Sequence, residues 1–322
     1  MKAIVVHDVG GPEKLAVEEV PDPVPGDDEL LVEVEAAGLN FIDTYQRGGL
    51  YPMDLPFVPG LEGAGTVTAT GANVKGFSIG DRVGWVNAPG SYAERAVVSP
   101  ETAIPIPGAI GTAVAAAVLL QGITAHYLAT STFPLDEGDR CLVHAGAGGV
   151  GLLLTQIAKM RDAYVITTVG SDEKAGLSRA AGADEVIVYT KTGFKEAIED
   201  RHGPHSLDVV YDGVGASTFD DGIDLLRPRG MMVTFGNASG PVPEISPLVL
   251  AQKGSIFLTR PTMAHYMRTR EELLARTRDL FDWMAAGRLE VRIGAEFPLE
   301  KAADAHRALE GRGTTGKVLI RP

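Results

Sequence analysis

A glycine-rich run at residues 143–151 (VHAGAGGVG) has the residue types and the spacing that bind a phosphate group. Glycines let the backbone turn sharply and approach an anion, while the N–H groups and positive end of a following helix face that anion. Residues 140–144 (RCLVH) read as a short buried strand, and residues 150–160 (VGLLLTQIAKM) carry apolar residues at helical spacing. Because the run joins a strand to a helix, we interpret it as a dinucleotide pyrophosphate site rather than as a plain tight turn.

The segment after the next predicted strand indicates which dinucleotide would bind. Residues 163–169 (AYVITTV) form that strand, and its tip lacks the acidic residue that usually binds the ribose hydroxyls of NAD. The Ser171 hydroxyl and the Lys174 ammonium supply the donors and positive charge that suit a 2′-phosphate, so we predict NADPH. Two alternatives stay open. Asp172 could turn to a ribose diol, or the SDEK segment could be only a helix N-cap with an acidic first turn.

Composition and charge restrict the class of protein. A chain of 322 residues is long enough for about two domains, each with its own core. The formal net charge of −13 disfavours nucleic acid and anionic membranes as partners, because neutralising phosphates requires a basic face. No apolar run approaches the ~18 residues of a membrane span, and the N-terminus lacks a signal-peptide pattern. We therefore expect a cytoplasmic protein.

The cysteine and histidine content argues against a metal site. Cys141 is the single cysteine, which excludes an intrachain disulfide and any zinc site built from several cysteines. It lies in a predicted buried strand, so we interpret it as a structural thiol rather than a nucleophile. His202 and His205 are the only close histidine pair, in a glycine-proline loop without an obvious third ligand.

The first hundred residues predict a mainly antiparallel domain that would position part of the site. Prolines and glycine-rich turns separate short segments of strand character, as in a barrel-like β domain. The predicted strands lie at residues 2–6, 15–20, 29–37, 66–70, 82–86 and 92–98.

The rest of the chain has a different pattern. Residues 111–130 predict a buried, alanine-rich helix between two domains. From residue 140 strands and helices alternate, which is typical of a doubly wound parallel sheet. Its further strands are predicted at residues 185–189, 207–211, 231–235 and 255–258. The tail, predicted as helix 270–286, a strand near 293, helix 302–309 and strand 317–320, could return to the first domain.

Short motifs occur in a specific order and spacing along the whole chain. They are residues 40–52 (NFIDTYQRGGLYP), 59–65 (PGLEGAG), 80–83 (GDRV), 122–125 (GITA), the glycine run, 181–183 (AGA), 210–215 (VYDGVG), 235–237 (FGN) and 315–318 (TGKV). Together they resemble the zinc-independent quinone oxidoreductases of the medium-chain dehydrogenase/reductase superfamily.

The resemblance implies an α/β architecture with two domains. A GroES-like, mainly antiparallel β substrate domain would comprise residues 1–122 and 262–322, and a Rossmann domain with a doubly wound parallel sheet would comprise residues 123–261. The resemblance further implies NADPH as the cofactor and a homodimer as the assembly.

The chain departs from the zinc-dependent members of that superfamily at their ligand positions. Asn40 stands where those enzymes have a cysteine ligand, and Leu61 stands where they have the histidine of a Gly-His-Glu motif. Glu62 remains, but one carboxylate cannot close a tetrahedral zinc site. We therefore predict no metal, and a structural hydrogen-bonding role for Glu62.

The resemblance also implies which residues form the site. Asn40, Tyr45 and Tyr51 are the expected catalytic residues, with Tyr51 near the acceptor. Tyr45 could either position a substrate or donate a proton to it, and both alternatives stay open. The expected cofactor-binding residues are Asn40, Tyr45, Thr124, Gly148, Gly149, Val150, Gly151, Ser171, Lys174, Tyr189, Gly213, Ser217, Phe235, Gly236, Asn237 and Lys317. For Lys317, as for Arg312, the alternative is a solvated tail.

Three functions are compatible with these expectations. The first is metal-free reduction of a quinone by NADPH, since a quinone accepts hydride without a Lewis acid. The second is reduction of an activated double bond in an enal, enone or enoyl thioester. The third is a non-catalytic NADPH-binding sensor or RNA-binding protein, although the negative charge weakens the RNA version.

Overall fold

The computed structural model describes residues 1–322, which form two compact units. Unit 1 comprises Met1–Ile123 and Met267–Pro322, and unit 2 comprises Thr124–Tyr266. The sequence placed the divisions after residues 122 and 261. Tyr266 belongs to unit 2, where its ring stacks on Tyr127 with the ring centroids 4.3 Å apart.

The strands and helices have the following bounds. The strands are β1 (Lys2–Val5), β2 (Ala16–Glu19), β3 (Leu30–Leu39), β4 (Glu62–Thr70), β5 (Arg82–Val86), β6 (Arg95–Val98), β7 (Ala103–Pro105), β8 (Arg140–Val143), β9 (Tyr164–Val169), β10 (Glu185–Val188), β11 (Leu207–Asp212), β12 (Leu226–Thr234), β13 (Phe257–Thr259), β14 (Ile293–Pro298) and β15 (Lys317–Arg321). The α-helices are α1 (Phe41–Arg47), α2 (Thr112–Tyr127), α3 (Gly149–Lys159), α4 (Asp172–Ala180), α5 (Phe194–His202), α6 (Phe219–Leu225), α7 (Pro247–Gln252), α8 (Met263–Tyr266), α9 (Arg270–Ala285) and α10 (Ala302–Glu310).

Unit 1 is built on a seven-stranded, mainly antiparallel sheet. Its strand order is β14-β15-β3-β4-β5-β7, with β6 also paired to β3, and β1 and β2 form a separate ribbon. The C-terminal strand β15 pairs antiparallel with β3, with Val318 opposite Leu39. This pairing confirms that the tail returns to the first domain. It brings Lys317 next to the end of β3, where Asn40 follows.

Unit 2 is a six-stranded parallel sheet in the order β10-β9-β8-β11-β12-β13. This is the 3-2-1-4-5-6 order of two mononucleotide-binding halves, so the predicted doubly wound α/β fold is confirmed. Strands β8, β9 and β11 consist largely of buried apolar residues, as expected for a sheet covered on both faces. Carboxyl ends of parallel strands share one edge of the sheet, and ligands bind in the crevice outside that edge.

One helical run is long enough to cross a membrane by length and composition. Thr112–Thr132 spans 21 residues and contains an 18-residue window with a mean hydropathy of 1.4, but 78% of that window is buried inside the protein, as in a core helix. We expected no apolar segment of this length from the sequence. The polar residues Gln121 and His126 interrupt the run of apolar residues, but the mean hydropathy of the window stays high.

Candidate active site

The glycine run forms a turn that leaves the start of α3 uncapped by any side chain. Gly148 is the N-cap in an extended conformation and Gly149 begins the helix. A Cβ atom on Gly151 would lie 2.3 Å from the carbonyl oxygen of Ala145, and one on Gly146 would lie 2.6 Å from Thr167 Cβ. The turn therefore requires glycine for its own packing, and its free helix end suits an anion. These residues fit a dinucleotide pyrophosphate.

The segment after β9 combines a helix cap with a surface ion pair. The Ser171 hydroxyl oxygen accepts a hydrogen bond from the backbone N–H of Lys174 at 3.3 Å, so Ser171 caps α4, and its contact with a cofactor stays a prediction. Asp172 is not free, because the Lys191 ammonium donates to both of its carboxylate oxygens at 2.7 Å. Tyr189 follows β10 and is 43% exposed. Its hydroxyl lies so close to Gly170 that a Cβ atom there would be 2.8 Å away.

A second pair of loops meets at the carboxyl ends of β11 and β12. A Cβ atom on Gly236 would lie 2.2 Å from the carbonyl oxygen of Gly213, and one on Gly213 would lie 3.0 Å from the Phe235 ring. The structure thus brings Gly213, Phe235 and Gly236 together, with Asn237 next in the chain. Ser217 lies on the exposed loop before α6, where its backbone N–H donates to Ser239 Oγ at 3.0 Å.

Two charged residues that sequence reasoning missed support these loops. The Asp212 carboxylate is fully buried and accepts the backbone N–H groups of Val214 and Gly215 at 2.7 and 3.0 Å. The Arg260 guanidinium donates to the carbonyl oxygen of Gly236 at 2.9 Å. The position of Asp212 at the end of the mainly apolar strand β11 was a usable signal. Arg260 had no comparable signal.

In unit 1, Asn40 is held by hydrogen bonds on both its backbone and its side chain. It caps α1, and its N–H donates to Asp43 Oδ2 at 2.8 Å. Its side-chain Nδ2 donates to Glu62 Oε2 at 2.9 Å, and its Oδ1 accepts from Lys317 Nζ at 2.9 Å. The orientation of the amide is therefore determined by a carboxylate on one side and an ammonium on the other.

The Lys317 ammonium also forms a salt bridge with Glu62, and both side chains are buried. Glu62 Oε1 accepts the backbone N–H of Leu120 at 2.6 Å, which confirms the predicted structural role of Glu62. A solvated tail is wrong for Lys317, whereas direct contact with a cofactor stays a prediction. No group of three or more His, Cys, Asp and Glu side chains lies close enough together to hold a metal ion.

A buried polar network lies beneath α1. Tyr92 donates to Asp43 Oδ2 at 3.0 Å and lies 3.3 Å from His306 Nε2. Arg47 lies 2.9 Å from His306 Nδ1 and pairs with Glu310 at 2.6 Å. Since a guanidinium only donates, Nδ1 must accept and Nε2 carries the proton. Burial raises the pKa of Asp43 to about 6 and lowers the pKa of His306 to about 3.

Tyr45 and Tyr51 are brought together by the loop after α1. Their ring centroids lie 5.5 Å apart in an edge-to-face arrangement, and the Tyr51 N–H donates to the Tyr45 carbonyl oxygen at 3.2 Å. Phe41 lies 6.2 Å from the Tyr45 ring. All three rings are partly exposed, so they can offer an apolar surface to a flat molecule.

The remaining predicted residues have simpler surroundings. Thr124 lies on α2 and is 7% exposed. Cys141 is fully buried, which confirms the predicted structural thiol, and burial raises the pKa of this thiol far above its usual range. His202 pairs with Glu185 at 2.6 Å rather than with His205.

Two family models match the chain. Residues 26–108 match the alcohol dehydrogenase GroES-like domain, and residues 181–320 match the zinc-binding dehydrogenase model. The second model covers neither Asn40 nor Leu61, the two positions at which the sequence departs from the zinc-dependent enzymes.

Relatives match over almost the full length of the chain. The quinone oxidoreductase of Pseudomonas aeruginosa is 43% identical over 97% of both chains, and the 2-haloacrylate reductase of a Burkholderia species is 37% identical over 99% of this chain and 98% of its own. The structure of Escherichia coli quinone oxidoreductase complexed with NADPH superposes with a TM-score of 0.97 at 40% identity, covering 100% of both chains. The chain therefore belongs to the quinone oxidoreductase family of the medium-chain dehydrogenase/reductase superfamily.

Proposed function

We propose that this protein is an enzyme that reduces quinones with NADPH and without a metal. The observation that carries the proposal is the uncapped start of α3 at Gly148 and Gly149, in a sheet with dinucleotide-binding strand order. The Escherichia coli relative of the same fold is complexed with NADPH. Within unit 2, Val150 and Gly151 complete the pyrophosphate site, and Ser171, Lys174 and Tyr189 lie on the side expected to bind the 2′-phosphate.

When bound, NADPH supplies a hydride to the acceptor. In the same unit, Gly213, Ser217, Phe235, Gly236 and Asn237 bind the nicotinamide half, with Thr124 from α2. The close approach of Gly213 and Gly236 leaves backbone rather than side chains at this point. Binding the cofactor in one orientation supplies the proximity that hydride transfer requires.

Unit 1 binds and positions the acceptor through Asn40, Tyr45 and Tyr51. The edge-to-face pair of Tyr45 and Tyr51 offers ring surface on which a planar quinone can stack. Asn40 is oriented by Glu62 and Lys317, and because Nδ2 donates both of its hydrogens, to Gly38 O and to Glu62 Oε2, the side chain can offer only the second lone pair of Oδ1. A quinone needs no Lewis acid, because the reduced ring becomes aromatic and its oxygen takes a proton from solvent or from a nearby hydroxyl.

The assembly that we propose is a cytoplasmic homodimer. Strand β13 lies at the open edge of the parallel sheet, and Phe257 on this strand is 57% exposed. Leu248 on α7 is 68% exposed. Apolar side chains beside an unpaired strand favour pairing with a second copy. Light scattering of the purified protein should give twice the chain mass.

Steady-state turnover with a panel of acceptors tests the proposed activity. With a quinone as the acceptor, the purified protein should oxidise NADPH faster than it oxidises NADH. The rate should depend linearly on enzyme concentration. If no quinone of the panel led to NADPH consumption, the proposal would be contradicted. If NADPH still bound in such a preparation, the non-catalytic binding role would take its place.

A second candidate is reduction of an activated carbon–carbon double bond. The identity of 37% to a 2-haloacrylate reductase supports it. An enone or 2-haloacrylate also accepts hydride at a carbon made electron-poor by a neighbouring carbonyl. The same assay with enals, enones, enoyl thioesters and 2-haloacrylate separates the two candidates by their kcat/KM.

A further inference from the structure

Two segments of unit 2 place a lysine on Asp172, the acidic side chain that is the alternative partner for a ribose diol. Asp172 is the first residue of α4, directly after the N-cap Ser171. Lys191 comes from the turn after β10, where its N–H donates to the carbonyl oxygen of Val188 at 2.9 Å. The Lys191 ammonium lies 2.7 Å from both oxygens of Asp172. The pair exists because β9 and β10 are neighbours and end at the same edge.

NADH and NADPH differ only at the 2′ position of the adenosine ribose. NADH carries a ribose 2′-hydroxyl, which an unpaired carboxylate accepts well, and NADPH carries a 2′-phosphate, which the same carboxylate repels. An ammonium on Asp172 occupies its acceptor sites and cancels its charge. Glu173 and Lys174 stand next in the chain, so the formal charges of Asp172, Glu173, Lys174 and Lys191 sum to zero, and the sum is negative without Lys191.

We propose that Lys191 is a cofactor-specificity residue, which makes this edge selective for NADPH by neutralising Asp172. The inference rests on the proposed NADPH function and adds to it a residue outside the predicted cofactor contacts. Lys191 acts through Asp172, so it shifts the preference between the two cofactors rather than the affinity for the part they share. The pair is exposed, with 61% of the Lys191 and 74% of the Asp172 side chain accessible, so salt must weaken its effect.

Fluorescence titration of the full protein with NADPH and with NADH, without an acceptor, measures this preference directly as two dissociation constants. Lys191→Met should raise the Kd for NADPH by about fivefold and leave the Kd for NADH unchanged or lower. Adding Asp172→Asn to Lys191→Met should return the Kd for NADPH to within about twofold of the parent. The difference should shrink as ionic strength rises from about 0.05 M to about 0.5 M.

Two controls make the test specific. Lys75→Met removes the same charge from the exposed surface of unit 1 and should change neither Kd. Lys174→Ala should raise the Kd for NADPH by about tenfold to a hundredfold, since it removes a charge-assisted phosphate bond. An unchanged preference in Lys191→Met, an equal loss for both cofactors, or no rescue by Asp172→Asn would overturn the inference. If the parent protein bound neither cofactor, the proposed function itself would fail.

Discussion

At the scale of single residues, the surroundings of Asn40 explain how a side chain amide can be oriented without a metal. Its Nδ2 and Oδ1 atoms face a carboxylate and an ammonium that are themselves paired. An amide that could rotate would present a donor or an acceptor at random. Here only one orientation satisfies Glu62 and Lys317, so Asn40 presents one fixed arrangement.

The first prediction concerns the buried pair of Lys317 and Glu62. Lys317→Met should lower the free energy of unfolding by about 3 to 5 kcal/mol, because it leaves an uncompensated carboxylate in the interior. Adding Glu62→Gln should recover most of the loss, since it removes the unpaired charge. Urea denaturation of the three proteins measures the cycle. Additive losses in the double variant would show that the two side chains do not depend on each other.

The second prediction concerns Tyr45. Because its ring packs edge-to-face against Tyr51, we expect Tyr45 mainly to position the acceptor. Tyr45→Phe keeps the ring and should retain most of kcat with the best quinone. A fall of about 10²-fold or more would instead identify the hydroxyl as a general acid. Tyr45→Leu, which removes the ring, should raise KM for quinones more than Tyr45→Phe does.

At the scale of elements, α1 and α10 are joined by two buried groups whose titrations oppose each other. His306 has a lowered pKa, so its neutral form stabilises the fold, and this stabilisation is lost as pH falls from 6.5 towards about 3. Asp43 has a raised pKa, so the folded state keeps its proton longer than the unfolded state. Stability from Asp43 therefore falls as pH rises from 3.8 to about 6. Between pH 4 and 6 the two effects partly cancel.

The third prediction follows from this cancellation. Asp43→Asn removes the group that titrates in the opposite direction, so acidification from about pH 6 to about pH 4 should cost the variant on the order of 2 to 3 kcal/mol more than the parent. Unfolding free energies measured across this range test the slope rather than the absolute stability. Parallel curves for parent and variant would mean that Asp43 does not keep a proton in the folded state.

At the scale of the whole molecule, the proposed metal-free chemistry differs from the name of one matching family model. By the resemblance, Asn40 and Leu61 stand where zinc-dependent relatives have two ligands, and the Lys317 ammonium pairs with Glu62. An ammonium beside a carboxylate disfavours a second cation at the same place.

The fourth prediction is that purified protein contains no stoichiometric zinc. Elemental analysis should give far less than one zinc per chain, and incubation with a chelator should leave quinone turnover unchanged. Simple alcohols with NADP⁺ should give no turnover, because nothing lowers the pKa of the alcohol. One zinc per chain together with loss of activity on chelation would contradict the metal-free mechanism.

The sequence by itself determined the fold class, the cofactor unit and the family. Strand-turn-helix periodicity and glycine spacing are local, so they were readable at residues 143–151 without a structure. The same applies to the strands of the parallel sheet, although β12 begins earlier than predicted, at Leu226. Local pattern reading missed α1, because a helix of seven residues is too short to show a period.

Only the tertiary structure decided which distant side chains meet. Lys317 and Glu62 pair across 255 positions of the chain, and Arg47 reaches Glu310 across 263. Lys191 meets Asp172 because two strands are adjacent, a relation that no local spacing encodes. Charged groups pair through space in the folded chain, whereas sequence patterns report only the local periodicity of burial. The partners of Asn40 and Asp172 therefore had to come from the fold.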